Sequence, residues 1–581
     1  MVTYPKRRDQ LTPVHAAWHA EWPTALAVWS KFTRLAEPRW CFSDAEAEAE
    51  GLSSSFAMIR LTDQAVVVNL DQIERQQLAG FAHEILAHEI GHHVLAPADL
   101  DDYARMIAHM RWGLPTKERL APFISNLYTD LLINDRLQRS AGLSMAAVYL
   151  ALGSEATDPL WTLYMRIYEI LWRLQTGTLA KGTLTDALRG DAQLGARLVR
   201  AYARDWLDGA GKFAALCLPY LLEDEAQATQ AVLKGWRDTQ DAGAGGMPHG
   251  LTEMDANERE GAQHPSLDPE ISGLGPPSDK PASNRAQGQA RQPFEFGEIL
   301  RALGLPLSEH EAAIRYYKER AAPYLVPFPA RQRPESTEPL PEGLEPWDIG
   351  GPLEEADWTE SVMVSPHVIP GMTTVQRVWG HTEGSQPKRE PLDLDLYVDS
   401  SGSMPNPQQS VSYLTLAGAI VALSALRAGS RVQATLWSGT RQFLTTEGFV
   451  TDQHKVLEIL TGFFGGSTAF PIHVLRDTFQ ERKPHDRPAH ILVISDDGVT
   501  TMFDKDERGG SGWDVARMAL EKARGGGTLL LNLLTAVEKN AELLRARDEQ
   551  GWNIHTVRNW EELVEFARWF SRLKYGGPDA D

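Results

Sequence analysis

His88-Glu89-Ile90-Gly91-His92 is the stretch of this 581-residue chain whose residue types and spacing could most directly do chemistry. Two imidazoles four apart on a helix lie one above the other on a single face and can hold one transition-metal ion together. Glu89 stands beside them, outside the ligand set, where a carboxylate can take a proton from a water at the ion's open position. The spacing of Phe81, Ile85, Leu86, Ala87 and Val94 predicts the helix that must present them, its apolar stripe turned inward. A core helix with solvated histidines is the plain alternative. His83 and His93 are read as surface or supporting residues rather than ligands.

A catalytic ion needs a third protein ligand and one position left for water. Downstream, Asn126, Asp130 and Asn134 recur every four residues on one polar face of a helix whose other side carries Leu127, Leu131 and Leu132. Asp130 is the expected third ligand, with Asn126 and Asn134 as the groups that orient it. The alternative is an Asx-rich face turned to solvent. The His-Glu-x-x-His pattern resembles the zincin metallopeptidases, which implies Zn²⁺ at His88, His92 and a third ligand, with Glu89 catalytic. In that layout an edge strand ahead of the metal helix holds an extended peptide, and residues 65–70 read as such a strand. No Gly-x-x-His follows His92, so the metzincin variant is absent.

A second constellation lies near the other end. Strands near 392–398, 431–437, 490–495, 528–534 and 553–557 alternate with helical segments, which predicts a doubly wound α/β sheet whose ligands sit beyond the carboxyl ends of its strands. Asp399, Ser401 and Ser403 leave the first strand at that end. Thr468 lies in a loop after two glycines, and Asp496 and Asp497 leave the strand 491–495. Oxygen donors converging there suit a hard ion such as Mg²⁺, held partly through waters. The Asp-x-Ser-x-Ser motif, the loop threonine and the later aspartate resemble a von Willebrand factor A domain with its metal-ion-dependent adhesion site (MIDAS), over roughly the last third of the chain. By that resemblance Ser401, Ser403 and Thr468 touch the ion, and Asp399 acts through water. The later aspartate is Asp496, or Asp497 if the register slips by one, and a carboxylate from a protein partner completes the shell. A bare Asp-Ser-Ser-Gly-Ser turn is the alternative.

The whole layout resembles bacterial proteins that join an N-terminal metallopeptidase-like domain to a C-terminal von Willebrand factor A domain and work beside MoxR-type AAA+ ATPases. In that family the aspartate of an Asp-x-x-Ile-Asn helix is the third zinc ligand, matched here by Asp130-Leu131-Leu132-Ile133-Asn134. Two functions follow as expectations. One is a zinc metallopeptidase docked to an AAA+ ATPase or its client. The other is a non-enzymatic adaptor in which zinc is structural and the Mg²⁺ site links ATPase to target.

Length and composition set the frame for these sites. A chain of this size exceeds one core. Four regions are expected: an α-rich (α+β) zincin-like domain over 1–236, a disordered linker over 237–292, a helical and irregular segment over 293–390, and the α/β domain over 391–581. The linker assignment rests on Gly, Pro, Ser, Asn, Gln and acidic residues with almost no large apolar side chain. A net charge of −21 argues against nucleic acid and anionic membrane as partners. Two cysteines, Cys41 and Cys217, without metal spacing fit a reducing cytoplasm. The basic N-terminus has no apolar run behind it, so no signal peptide or membrane span is expected. The Trp161-x-x-Tyr164-x-x-x-Tyr168 run is read as core rather than a ligand platform.

Overall fold

In the computed structural model, the described residues are 4–53, 55–153, 155–222, 239–240, 246–272, 289–328, 330–333, 337–383, 388–570 and 572–573. They form a mixed α/β, multidomain protein, about half of it helical, that divides into two compact units. Unit 1 comprises residues 1–319 with 408–411, and unit 2 comprises 320–407 with 412–581. Among the described residues no helix is long and apolar enough to cross a membrane.

Unit 1 is built on helices α1 (Tyr4–Trp29), α2 (Asp44–Ala49), α3 (Leu70–Arg75), α4 (Ala82–Val94), α5 (Leu100–Gly113), α6 (Ala121–Arg136), α7 (Met145–Leu152), α8 (Pro159–Leu171), α9 (Asp186–Ala201) and α10 (Trp206–Leu222). Its small sheet contains β1 (Arg39–Cys41), β2 (Ala57–Arg60), β3 (Ala65–Asn69) and β4 (Thr239–Gln240) in the order β1-β3-β2-β4. Helix α6 is the centre: every residue from Ala121 to Asp135 is buried. A helix surrounded on all sides cannot solvate its polar stripe, so Asn126, Asp130 and Asn134 must find partners inside the protein.

Two features bring α4 close enough to supply them. Trp29 of α1 donates its indole N–H to the carbonyl of Ala87, 2.7 Å away. Gly91, between the two motif histidines, is where the helices meet: a Cβ there would stand 2.5 Å from Ile133 of α6 and 2.7 Å from Trp29. Only glycine permits that approach.

The strand at 65–70 differs from the sequence expectation. It forms β3, but β3 pairs with β1 on one side and β2 on the other, so it is interior; β1 and β4 are the edges. Its near-continuous apolar run, Ala65 to Val68, fits a strand buried on both faces, where a half-solvated strand would alternate.

The expected linker also differs. Residues 246–272 and 289–292 are packed on unit 1, while 241–245 and 273–288 lie outside the described residues. Arg291 grips Glu258 through two 2.8 Å hydrogen bonds, both side chains buried. Asp255 takes hydrogen bonds from Arg105 and meets His109 Nε2 at 3.1 Å; Asp268 takes them from Tyr202 and pairs with Lys212. Buried charge pairs hold this segment together with a few buried apolar side chains, Leu251 and Ile271 among them, and a composition argument that counts apolar residues misses the pairs. The helices Pro293–Ala302 and Glu309–Ala321 follow, and unit 1 runs on to residue 319 rather than stopping at 236.

Residues expected to be irregular before the second domain pair into antiparallel ribbons, β5 (Ala330–Arg333) with β8 (Lys388–Pro391) and β6 (Thr337–Pro346) with β7 (Val375–Glu383). Beyond them lies a six-stranded Rossmann-like sheet: β9 (Asp393–Asp399), β10 (Val432–Trp437), β11 (Phe443–Thr445), β12 (Ala489–Asp496), β13 (Arg524–Asn532) and β14 (Asn553–Thr556). The order is β11-β10-β9-β12-β13-β14, all parallel except the short edge β11. The chain adds β10 on one side of β9 and β12 on the other. That reversal opens a crevice at the carboxyl ends of β9 and β12, where doubly wound sheets bind ligands.

Candidate metal centres

In unit 1, one donor atom from each of His88, His92 and Asp130 lies within 4.8 Å of the others, and all three residues are buried. Asp130 Oδ1 is 3.8 Å from His88 Nε2 and 3.6 Å from His92 Nε2. Those distances are too long for hydrogen bonds. They are close to the spacing of about 3.4 Å that two ligands of one tetrahedral zinc adopt.

The groups behind each donor fix its orientation. His92 Nδ1 is 3.1 Å from the carbonyl of Ala96. A carbonyl only accepts, so Nδ1 carries the hydrogen and Nε2 keeps its lone pair for the cluster. His88 Nδ1 is 2.7 Å from Asn134 Oδ1, which holds that ring in the same sense. Asn126 donates to Asp130 Oδ2 at 3.2 Å, leaving Oδ1 turned to the imidazoles. Two imidazole Nε2 atoms converging with a carboxylate oxygen are a donor set zinc takes, and the residues therefore fit it.

The sequence did not mark what holds Asn134. Its amide donates to Tyr149 at 3.1 Å and to Tyr168 at 3.0 Å, and Tyr149, Tyr164 and Tyr168 are mutually hydrogen bonded. Burial pushes the Tyr164 and Tyr168 hydroxyls well above the ordinary phenol range, with Tyr149 next and Asp130 adding to it. The aromatic run of α8 is thus core, as its period indicates, but its hydroxyls serve the site. The available signal was tyrosine rather than phenylalanine at buried helical positions, since a buried phenol needs a partner. Asn134→Ala is expected to lower zinc affinity roughly 10- to 100-fold, measured by competition with a chromogenic chelator. Unchanged affinity would remove Asn134 from the site.

Glu89 is 1% exposed, yet it lines a small cleft of about 50 Å³, partly open to solvent, together with His88, Asp130, Asn134 and Tyr149. Phe56, Ile85, Met145, Val148 and Leu152 form its apolar walls. His83 and His93 are not part of this cluster. A second group, His109, Asp255 and Glu258, has ligand types in reach of one another. Its carboxylates are already bonded to Arg105 and Arg291, which makes it a charge clamp for the 246–272 segment.

In unit 2 the crevice between β9 and β12 gathers the other expected residues. Asp399 Oδ1 accepts the Ser401 N–H at 2.8 Å and Oδ2 accepts the Ser495 hydroxyl at 2.6 Å. The Ser401 and Ser403 hydroxyl oxygens are 3.1 Å apart. The loop bearing Thr468 is stitched alongside: Gly402 N–H donates to Gly466 O, Gly465 N–H to Ser400 O, and Gly466 N–H to the Ser438 hydroxyl. Thr468 and Asp496 abut the same residue, since a Cβ on Gly498 would meet Thr468 Cγ2 at 2.5 Å and Asp496 Oδ1 at 3.0 Å.

The two adjacent aspartates part ways. Asp496 adds its charge to burial in raising the Asp399 carboxyl, while bonds from Ser495 and Ser401 pull it back. Asp497 turns to the loop after β13, where its Oδ2 accepts the Leu534 N–H at 3.2 Å. Asp496, whose Oδ1 also accepts the Gly498 N–H at 2.7 Å, is thus the one of the two that acts on Asp399. Two repelling carboxylates beside the Ser401 and Ser403 hydroxyls, with Thr468 on the adjoining loop, form an oxygen-only donor set that fits a hard divalent cation such as Mg²⁺. Ser495 and Ser438, which brace these loops, were not singled out from the sequence; a lone serine closing the apolar run 491–494 was the one cue.

These features define a two-unit protein with a buried His-His-Asp cluster in one unit and a hydroxyl-carboxylate cluster at the switch point of a Rossmann-like sheet in the other. No protein-family model and no curated protein matches the chain. Among solved structures, a chain described as von Willebrand factor type A from Catenulispora acidiphila is similar to it, at 16% identity and a TM-score of 0.21, over 32% of this chain and 43% of that one. This chain thus spans less than half of that structure's length, and a likeness of this strength carries no argument.

Proposed function

We propose that unit 1 is a zincin-like zinc metallopeptidase, and that the sheet of unit 2 is a von Willebrand factor A-type domain with a Mg²⁺ MIDAS that docks a protein partner, an AAA+ ATPase of the MoxR type or its client. The observation that carries the first half is the convergence of His88, His92 and Asp130, each backed by its own hydrogen-bond partner, with Glu89 lining the same cleft as His88 and Asp130. Bound zinc would polarise a peptide carbonyl and make water beside it more acidic. Glu89 takes the proton from the attacking water and delivers it to the amide nitrogen as the C–N bond breaks. Asn126 and Asn134 keep Asp130 and His88 from rotating out of the cluster, and the apolar walls of the cleft exclude bulk water from the reacting groups.

The second half rests on the oxygen donors at the β9/β12 crevice. An ion held there by Ser401, Ser403, Thr468, Asp399 and Asp496 leaves room for a carboxylate from outside the chain. The layout resembles that of the MoxR-associated family, and this is what supports the choice of partner.

A non-enzymatic adaptor is the competing reading, favoured by one observation: His92 is 0% exposed, the closed character of a structural zinc. Glu89 lining the cleft favours hydrolysis, because a structural ion has no use for a base. The zinc-loaded chain is expected to cleave an extended, unfolded protein and the zinc-stripped chain not to. If both are inert while partner binding persists, the adaptor reading stands. Asp399→Ala is expected to abolish Mg²⁺-dependent partner binding without changing zinc content; equal binding by this variant in Mg²⁺ buffer contradicts the adhesion role.

A further inference from the structure

Among the described residues, exposed large apolar side chains gather away from both clusters, at residues 341–380 of unit 2. The β6–β7 ribbon carries a loop and a short helix, Trp358–Val364, folded back along it. Trp347 N–H donates to Thr374 O at 2.9 Å and Asp357 N–H to Val375 O at 2.8 Å, so the lobe is tied down. Its helix is amphipathic in the wrong sense. The residue it buries is Ser361, whose hydroxyl donates to Asp357 O at 2.6 Å and accepts the Val375 N–H at 2.9 Å. The residues it shows to solvent are Val362, Met363 and Val364.

Met363 is 79% exposed, and the loops on either side repeat the inversion, with Ile349 79% and Met372 78% exposed. Among the described residues of the lobe, only Trp347 and Ala356 are buried apolar side chains. Apolar patches of this kind on a soluble surface mark interaction sites, and methionine is the side chain that adapts to varied partners.

Charge decides which partner fits. From 342 to 360 the sequence holds seven carboxylates, Glu342 and Glu360 at its ends, and no lysine or arginine. The lobe's one arginine, Arg377, closes on Asp357 at 2.6 Å and Glu360 at 3.7 Å, so it adds no free cation to the rim. We propose that this lobe is a docking surface for a basic amphipathic helix of another protein. The helix's apolar stripe would cover Ile349, Met363 and Met372, and its lysines and arginines would meet the acidic rim. A second copy of this chain would set one acidic rim against another. Nucleic acid and anionic bilayers are repelled for the same reason.

The test uses the full chain and three synthetic helices: a Leu/Lys amphipathic helix, the same peptide with its sequence scrambled, and a Leu/Glu helix of identical pattern. Fluorescence anisotropy should show the first binding and the other two at least about tenfold weaker. Ile349→Ser combined with Met363→Ser and Met372→Ser should weaken the first about tenfold or more while leaving circular dichroism unchanged. All three side chains are exposed, so folding does not depend on them. Equal affinity of wild type and triple variant would mean that bulk acidity alone binds the peptide, and would overturn the proposal. So would absence of binding, or a concentration-dependent dimer that the triple variant abolishes, which would put a second copy on the lobe. None of these readouts involves either metal.

Discussion

Glu89→Gln is expected to leave zinc bound at the wild-type level and to lower kcat for peptide cleavage about 10²- to 10⁴-fold, the range general-base catalysis contributes. The substitution keeps the size of the side chain and removes its ability to take a proton. Glu89 is not one of the three converging ligands, so metal content has no reason to change. It lies 1% exposed in the apolar-walled cleft, so bulk solvent offers no ready substitute base. The readouts are bound zinc by elemental analysis and cleavage of an unfolded protein under single-turnover conditions. Loss of zinc in the variant would make Glu89 a structural neighbour of the ion; unchanged cleavage would remove it from catalysis.

Asp395→Asn is expected to stabilise unit 2, by an amount that grows with pH. Asp395 is 0% exposed in β9, and burial raises its carboxyl from 3.8 to about 7, with Tyr397 and Arg482 only partly offsetting this. The folded state therefore binds this proton more tightly than the unfolded state. Below pH 4 both states hold it and the folded protein has no penalty. As pH rises from about 4 to 7 the unfolded chain releases its proton first, and stability falls. Above pH 7 the loss is roughly 4 kcal/mol, from about three pH units at 1.36 kcal/mol each. Asparagine carries no such penalty. The gain should be nearly absent at pH 4 and largest at pH 8, read from hydrogen-exchange protection of β9 amides across that range. An equal gain at both pH values would mean that packing, not ionisation, is responsible.

Local periodicity made much of the protein legible in its sequence. Residues four apart on a helix share a face whatever the tertiary fold, so the pairing of His88 with His92, and the shared stripe of Asn126, Asp130 and Asn134, follow from spacing alone. The alternation of strands and helices after residue 391 predicted the parallel sheet for the same reason. What depends on distant partners was not legible. The tether composition concealed buried ion pairs such as Arg291 with Glu258, because charge counts do not say which charges meet. The interior place of β3 depends on β1, 26 residues earlier by its first residue (39 against 65), and on β4, far later in the chain. The choice between Asp496 and Asp497 depends on a backbone turn that hands the latter to Leu534. The phenols behind Asn134 come from α7 and α8, and only the fold brings them to α6.

Zinc content of the purified chain, compared with His88→Ala, tests the central claim most directly. Three donors converging as His88, His92 and Asp130 do should hold close to one zinc per wild-type chain through dialysis, and almost none once His88 is removed. A wild-type chain that stays empty in zinc-containing buffer, or a variant that binds as much as wild type, would contradict it.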